Sequence, residues 1–283
     1  MSPEVSIICP FRDAAAFLPG LIANVLQQTH PDWELLLIDD GSLDSGPELA
    51  RSAARGDQRI RFLRAPARPS NSPQLGPWWP RNIGLAEASH ALIAFLDADD
   101  RWHPAKLKRQ IRCHTDGGTS ISVTGYARFD PAHDRLSNWR LPPPRFGYRR
   151  LRCGNAIPML TVMLERRLLQ EGFLPCPHED YLRWLNLFRD QPELRCITIP
   201  ELLAFYAVHG SNLTGRRWQM PLWAYQVYRA HGMGAVASAA SLLPWGLTQA
   251  MAQWRCRRRP LRQTLQAALQ AEHPLPLPPA GSS

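Results

Sequence analysis

Asp97, Asp99 and Asp100 fall within four residues of one another in AFLDADDRW, and this is the first place in the chain to look for chemistry. Carboxylates held so close raise one another's pKa unless a cation lies between them, and hard oxygen ligands on one short turn suit Mg²⁺ or Mn²⁺. A metal beside a phosphate is therefore one reading. A solvated turn with a helix cap is another, and for this stretch alone it is the simpler one. Asp39 with Asp40, followed by Gly41 and Ser42, and Glu179 with Asp180, preceded by His178, form two further acidic pairs. Each has a plain account as well, since Asp-Gly is a common turn dipeptide and acids favour the first turn of a helix.

The elements around these acids make a stronger case than the acids do singly. Val5–Cys9 (VSIIC), Trp33–Ile38 (WELLLI), Ile60–Leu63 and Ala91–Leu96 (ALIAFL) are short apolar runs that read as strands buried on both faces. Two of them end directly in acids, which a buried strand cannot carry unpaired. Helical patterns stand between them: Phe17, Leu18, Leu21, Ile22, Val25 and Leu26 with Asp13 as N-cap, then Pro47–Ala54, then Trp79–Ala88. The alternation implies right-handed crossovers, and a doubly wound sheet binds ligands at the carboxyl edge of its strands, where these acids would stand.

Farther along, Trp102–Cys113 predicts a helix with Lys106, Lys108, Arg109 and Arg112 on a solvated face. Ile121–Tyr126 and Leu160–Leu164 predict strands, with a helix through Arg166–Gln170. Tyr181–Phe188 predicts a helix opening at the Glu179–Asp180 pair, and Ile197–Ile199 and Leu202–Tyr206 two more strands. Ala65–Pro80 holds five prolines and reads as a loop, with Trp78 and Trp79 expected to pack beneath it.

Net charge is +9 and unevenly placed: residues 216–283 contain eight Arg, no Lys and one Glu, which leaves the first 215 residues at +2. A near-neutral N-terminal region argues against nucleic acid as its partner. Six cysteines without a C-x-x-C pair suggest neither a zinc site nor a disulfide framework, and they fit a reducing, cytoplasmic setting. MSPEVSIICP lacks the basic and apolar regions of a signal peptide, and no run approaches the roughly 20 apolar residues that span a bilayer.

Taken together, SIICPFRDAAAFL, QQTHPDWELLLIDDGS, PRNIGL, ALIAFLDADDRWHPAKL and HEDYLRW make the stretch from Val5 to Thr214 resemble the inverting family-two glycosyltransferases of the GT-A fold. The resemblance implies an α/β fold, a Rossmann-like, mostly parallel sheet flanked by helices with a helical C-terminal appendage. It also implies a nucleotide-diphosphate sugar as donor, UDP-sugar favoured, and a glycan or lipid-linked hydroxyl as acceptor. On that pattern Pro10, Phe11, Arg12 and Asp13 border the nucleotide, Asp39 meets the base through an imide N–H, and Asp40 shapes the turn. Arg81 lies near the nucleotide or diphosphate, with Asn82 bracing its helix. Asp97 and Ala98 face the ribose side of the D-x-D, Asp99 holds Mg²⁺ or Mn²⁺, and His209 is a second metal or diphosphate contact. Asp180 is the general base and Glu179 its neighbour. Ala207 stands where relatives often carry Arg.

Three segments follow: 1–215 as the transferase domain, 216–272 as a basic helical region and 273–283 as a disordered tail. Leu247, Met251 and Trp254 share one helical stripe, and Arg255, Arg257, Arg258, Arg259 and Arg262 follow at once. Residues 245–262 thus suit an interface-lying helix at the inner face of an anionic membrane, or packing on the domain or a second subunit. Two other classes compete with the transferase reading. A non-catalytic nucleotide-sugar-binding or scaffold protein would not need Asp99 and Asp180 intact. A nucleotidyltransferase would need a Gly-rich phosphate loop, which Pro10–Ala16 lacks.

Overall fold

In the computed structural model, the described residues are 4–69, 76–144, 146–208, 219–258, 261 and 263–277. The first half alternates strands and helices: β1 (Val5–Phe11), α1 (Leu18–Leu26), β2 (Trp33–Asp39), α2 (Gly46–Gly56), β3 (Ile60–Arg64), α3 (Trp78–Glu87) and β4 (Leu92–Phe95). There follow β5 (Arg101–Trp102), α4 (Lys106–Gly117), β6 (Ile121–Asp130), β7 (Arg135–Arg140), α5 (Tyr148–Leu151), β8 (Met163–Glu165), α6 (Glu179–Asp190) and β9 (Cys196–Ala207). The C-terminal part is helical: α7 (Met220–Ala230), α8 (Ala235–Ala240), α9 (Leu242–Arg258) and α10 (Leu265–Gln270).

Among the described residues the strands form one sheet in the order β3-β2-β1-β4-β8-β6-β9-β5, with β7 paired to β6. β3, β2, β1 and β4 are mutually parallel; β8 runs antiparallel between β4 and β6, and β9 is parallel to β6. The chain leaves β1 to one side for β2 and returns to the other for β4. A crevice therefore opens above the carboxyl end of β1, as expected where strand order reverses.

Alternation within the apolar runs feeds two cores. Val5, Ile7 and Cys9 of β1 pack with Leu35 and Leu37 of β2 against α1, α2 and α4, while Ile8, Leu36, Ile38 and Phe95 face α3, α6 and α7 on the other side. That is why β1 and β2 have no polar face.

Several expectations change in the structure. Asp13 does not cap α1, which begins at Leu18 after Phe17; Asp13 instead takes a left-handed backbone (φ 49°) in the β1–α1 loop. The helix expected from Trp102 starts at Lys106, because Arg101 and Trp102 pair with β9. Lys106 is not solvated but fully buried: its ammonium lies 4.0 Å from the Trp102 ring centroid and Nζ donates to Gln110 Oε1 at 2.5 Å. Burial pushes its pKa well below the ordinary lysine value. Arg166–Leu169 is a 3₁₀ turn, and the two strands expected near 197–206 are one, β9.

Residues 273–277, expected to be disordered, lie along β9: Leu202 N donates to Leu275 O at 2.9 Å and Leu277 N to Pro200 O at 2.7 Å. The leucines of LPLP decide this, since Leu277 buries itself in a third small core with Phe129, Leu136, Leu202, Phe205 and Leu265. No helix of the described residues is long and apolar enough to cross a membrane.

Candidate active site

The carboxyl ends of β1 and β2 meet in register, Phe11 opposite Asp39. Pro10 and Phe11 are buried there, Arg12 and Asp13 exposed. Gly41, at φ 80°, lets the chain reverse after β2, and Asp39 Oδ1 accepts from Ser42 N at 2.8 Å. Ser42 Oγ accepts in turn from Asp13 N at 3.0 Å, and Asp13 Oδ1 from Leu43 N at 2.7 Å, clasping the two loops together. Asp39 is fully buried, yet its Oδ2 has no hydrogen-bond partner, Arg64 Nε being 3.7 Å away. A buried acceptor without a donor is costly, and at this carboxyl edge of the sheet a ligand N–H would satisfy it. Asp40 is paired with Arg68 of the Pro-rich loop, which also donates to Gly76 O at 3.1 Å.

The turn after β4 carries Asp97, Ala98, Asp99 and Asp100. Arg81 of α3 donates from one η-nitrogen to Asp97 Oδ1 at 2.8 Å and from the other to Glu179 at the start of α6. Burial alone would lower the Arg81 pKa, but Asp97, Glu179 and Asp180 outweigh it and keep the guanidinium charged. Arg81 is thus seated between two acids rather than open to the crevice. Asp100 is buried and accepts from Ala207 N on β9 at 2.9 Å. Burial first, and then the charges of Asp99 and Asp97, push its pKa well above the carboxylate range; the buried Cys9 thiol beneath is raised for the same reasons.

Asp97, Asp99 and the buried Asp100 crowd one turn, and a divalent cation would relieve the repulsion that helps raise Asp100. Among the described residues no three His, Cys, Asp or Glu side chains are grouped to hold a metal by themselves. Asp99, only partly buried, fits the smaller role of a hard carboxylate ligand that shares the cation with a diphosphate, as Mg²⁺ commonly binds. His209 lies outside the described residues.

Glu179 and Asp180 occupy the first turn of α6, where acids suit the helix dipole. Their environments differ. Glu179 is 3% exposed, and burial pushes its carboxyl up to about 7 against the pull of Arg81. Asp180 is only partly buried; its Oδ1 accepts from Tyr181 N at 2.7 Å and its Oδ2 from Asn155 Nδ2 at 2.9 Å. Gly76, at φ 68°, lies against Glu179: a Cβ there would stand 2.8 Å from Glu179 Oε2. From the appendage, Trp223 of α7 packs edge-on against His178, ring centroids 5.3 Å apart.

The sequence model of Glycosyl transferase family 2 matches residues 6–167, more than half of the chain. The chain belongs to this family. Two relatives extend the match across the transferase. The putative teichuronic acid biosynthesis glycosyltransferase TuaG of Bacillus subtilis is 28% identical over 80% of this chain and 88% of its own length. The Escherichia coli UDP-Glc:α-D-GlcNAc-diphosphoundecaprenol β-1,3-glucosyltransferase WfgD is 31% identical over 76% of this chain and 81% of its own. Among solved structures, S. aureus TarS 1–349 with UDP-GlcNAc superposes with a TM-score of 0.64 at 16% identity, covering 86% of this chain and 71% of that 1–349 chain. The mannosyltransferase PcManGT of Pyrobaculum calidifontis, with GDP-Man and Mn²⁺, gives 0.62 at 18% identity, covering 95% and 78%. The GT-A fold expected from the sequence is thereby established, and the chain is a glycosyltransferase.

In this glycosyltransferase one sheet edge brings together Pro10–Asp13, Asp39, Asp40 and Asp97–Asp99, and Arg81 ties the last group to the Glu179–Asp180 turn. Asn155 and Arg68 were not singled out from sequence as site-building residues. Asn155 sits in an aperiodic stretch and Arg68 in the Pro-rich loop, so neither carries a local signal. Asp100 reads from sequence only as one acid of the cluster, and its contact with Ala207, distant in the chain, comes from the fold.

Proposed function

We propose that this glycosyltransferase moves a sugar from a nucleoside-diphosphate sugar, UDP favoured, to a hydroxyl of a glycan or lipid-linked acceptor in cell-surface polysaccharide synthesis, with inversion at the anomeric carbon. The observation that carries the donor reading is the buried, unpartnered Asp39 Oδ2 at the mouth of β2, an acceptor suited to the imide N–H of uracil or thymine. The names of the E. coli and B. subtilis relatives, one using UDP-Glc on a diphosphoundecaprenol-linked acceptor and the other acting in teichuronic acid biosynthesis, support the same donor and acceptor classes.

Asp180 is the residue suited to act as general base. It is partly open and oriented by Asn155, so it can take the acceptor hydroxyl's proton as the oxygen attacks the anomeric carbon opposite the leaving diphosphate. One displacement from that side inverts configuration. Asp97 is held by Arg81 beside the ribose position, and Glu179 keeps Arg81 in place. A divalent cation on Asp99, in keeping with the Mn²⁺ of PcManGT, would supply charge neutralisation to the diphosphate as it leaves.

Thermal melting with UDP, GDP, dTDP and CDP, each with Mn²⁺ or Mg²⁺, tests this. A nucleotide at about 100 times its Kd should stabilise the fold by about 2.7 kcal/mol. UDP should give the largest shift, Asp99→Ala should remove its metal dependence, and Asp180→Asn should keep the shift while abolishing transfer. Normal turnover by Asp180→Asn would sink the base assignment.

A further inference from the structure

Leu243, Leu247, Met251 and Trp254 of α9 are 74%, 67%, 55% and 51% exposed, and their spacing of four, four and three residues places them on one face. Val236 of α8, 84% exposed, adds to the same region. Five of the ten large apolar side chains exposed among the described residues thus fall within 236–254, so this is a patch rather than scatter.

The opposite face of α9 is anchored. Trp245 packs against the main core, Thr248 Oγ1 donates to Cys153 O at 2.9 Å, and Gln249 Oε1 accepts from Arg140 Nη1 at 3.3 Å. Packing on the transferase domain therefore uses the other side of the helix and leaves Leu243, Leu247 and Met251 exposed.

Charge narrows the occupant. From Leu202 to Ala271 the sequence has no Asp or Glu and eight Arg, four of them at 255, 257, 258 and 259, directly after the stripe. A second copy docked on this face would bring two acid-free, Arg-rich segments together, which like-charge repulsion opposes. Nucleic acid would accept the arginines but gains nothing from Leu, Met and Val. An anionic bilayer satisfies both halves, since the apolar stripe suits its acyl boundary and an acid-free, Arg-rich stretch of sequence suits its headgroups.

We propose that α9 seats the enzyme on an anionic lipid bilayer through Leu243, Leu247 and Met251. The seat lies directly behind the acceptor machinery. Cys153, whose carbonyl receives Thr248, and Gly154, next to Trp245 and Gln249, lead into Asn155, which holds Asp180. Resting on the reading of Asp180 as the base, this placement selects the lipid-linked acceptor over a free glycan, because the base is built on the turn that α9 braces.

Flotation of the full chain with phosphatidylcholine vesicles containing about 30% phosphatidylglycerol tests the seat. The wild type should float with them and not with pure phosphatidylcholine. The L243Q/L247Q/M251Q variant should bind at least about tenfold more weakly, and R257Q/R258Q should lose the preference for anionic vesicles while melting like the parent. Undiminished binding by both variants, absence of wild-type binding, or a wild-type dimer that the apolar variant dissolves without vesicles would overturn the proposal. The UDP shift, measured on the same samples, reads the donor proposal separately. Losing it while vesicle binding persists defeats that reading alone, and the reverse defeats this one alone.

Discussion

Asp180 and Glu179 are adjacent in sequence and oppositely treated by the fold. Asp180 meets a neutral amide donor and partial solvent; Glu179 is enclosed against Arg81. Replacing Asn155 by Ala removes the side chain that orients Asp180, the proposed base, without touching the proposed nucleotide side. We expect kcat to fall about 10- to 100-fold, below the 10²–10⁴ typical of losing a base outright, while the UDP-induced melting shift is unchanged. A parallel loss of UDP binding would show that Asn155 merely holds the fold. Glu179 has a pH signature. Its folded pKa of about 7 lies above the ordinary 4.5, so the folded state binds the extra proton between those values. The stability from this group is complete below 4.5 and disappears as pH rises through 7. The melting temperature of Glu179→Gln minus that of the wild type should therefore rise from pH 4.5 to 7; a flat difference would refute the raised pKa.

At the level of elements, the segment β4–turn–β5 decides the site's shape. The turn projects Asp97 and Asp99 from the sheet edge, and Asp100 pins it to β9 by accepting from Ala207 N. Asp100→Ala leaves that buried N–H without an acceptor and should destabilise the protein by about 1–3 kcal/mol. Asp100→Asn keeps the acceptor and removes a charge that burial already disfavours, so its denaturation midpoint should stay near the wild type's. Equal losses in the two variants would refute the pinning role. The strands behind this turn were legible because β1, β2 and β4 are unbroken apolar runs, which only a sheet covered on both faces explains. The helix α4 was legible as a helix but not in its burial: Lys106 reads as a solvent-facing cation until Trp102 and Gln110, brought in by the fold, enclose it.

For the whole molecule, the C-terminal segment is part of the transferase's packing rather than an addition to it. Leu277 reaches over Gly125, where a Cβ would clash with Leu277 Cδ1, and joins Leu202 and Phe205 in the third core. Leu277→Ala should cost about 2–5 kcal/mol, measured by denaturant unfolding, since it empties a buried leucine site. A loss under about 0.5 kcal/mol, the scale of surface substitutions, would mean that the segment does not stay on β9.

The sequence by itself determined the strand–helix alternation, the crevice at the carboxyl edge, and the acids that stand there, because all three follow from local period and from charges placed where apolar runs stop. Tertiary structure decided which acids face the crevice and which are spoken for. Arg81 joins Asp97 to Glu179 across 98 residues and Asn155 reaches Asp180 across 25. The same holds for Asp100, Lys106 and Leu277, whose partners lie on other elements. Only packing brings those partners within hydrogen-bond reach, and no local pattern in the chain encodes that distance.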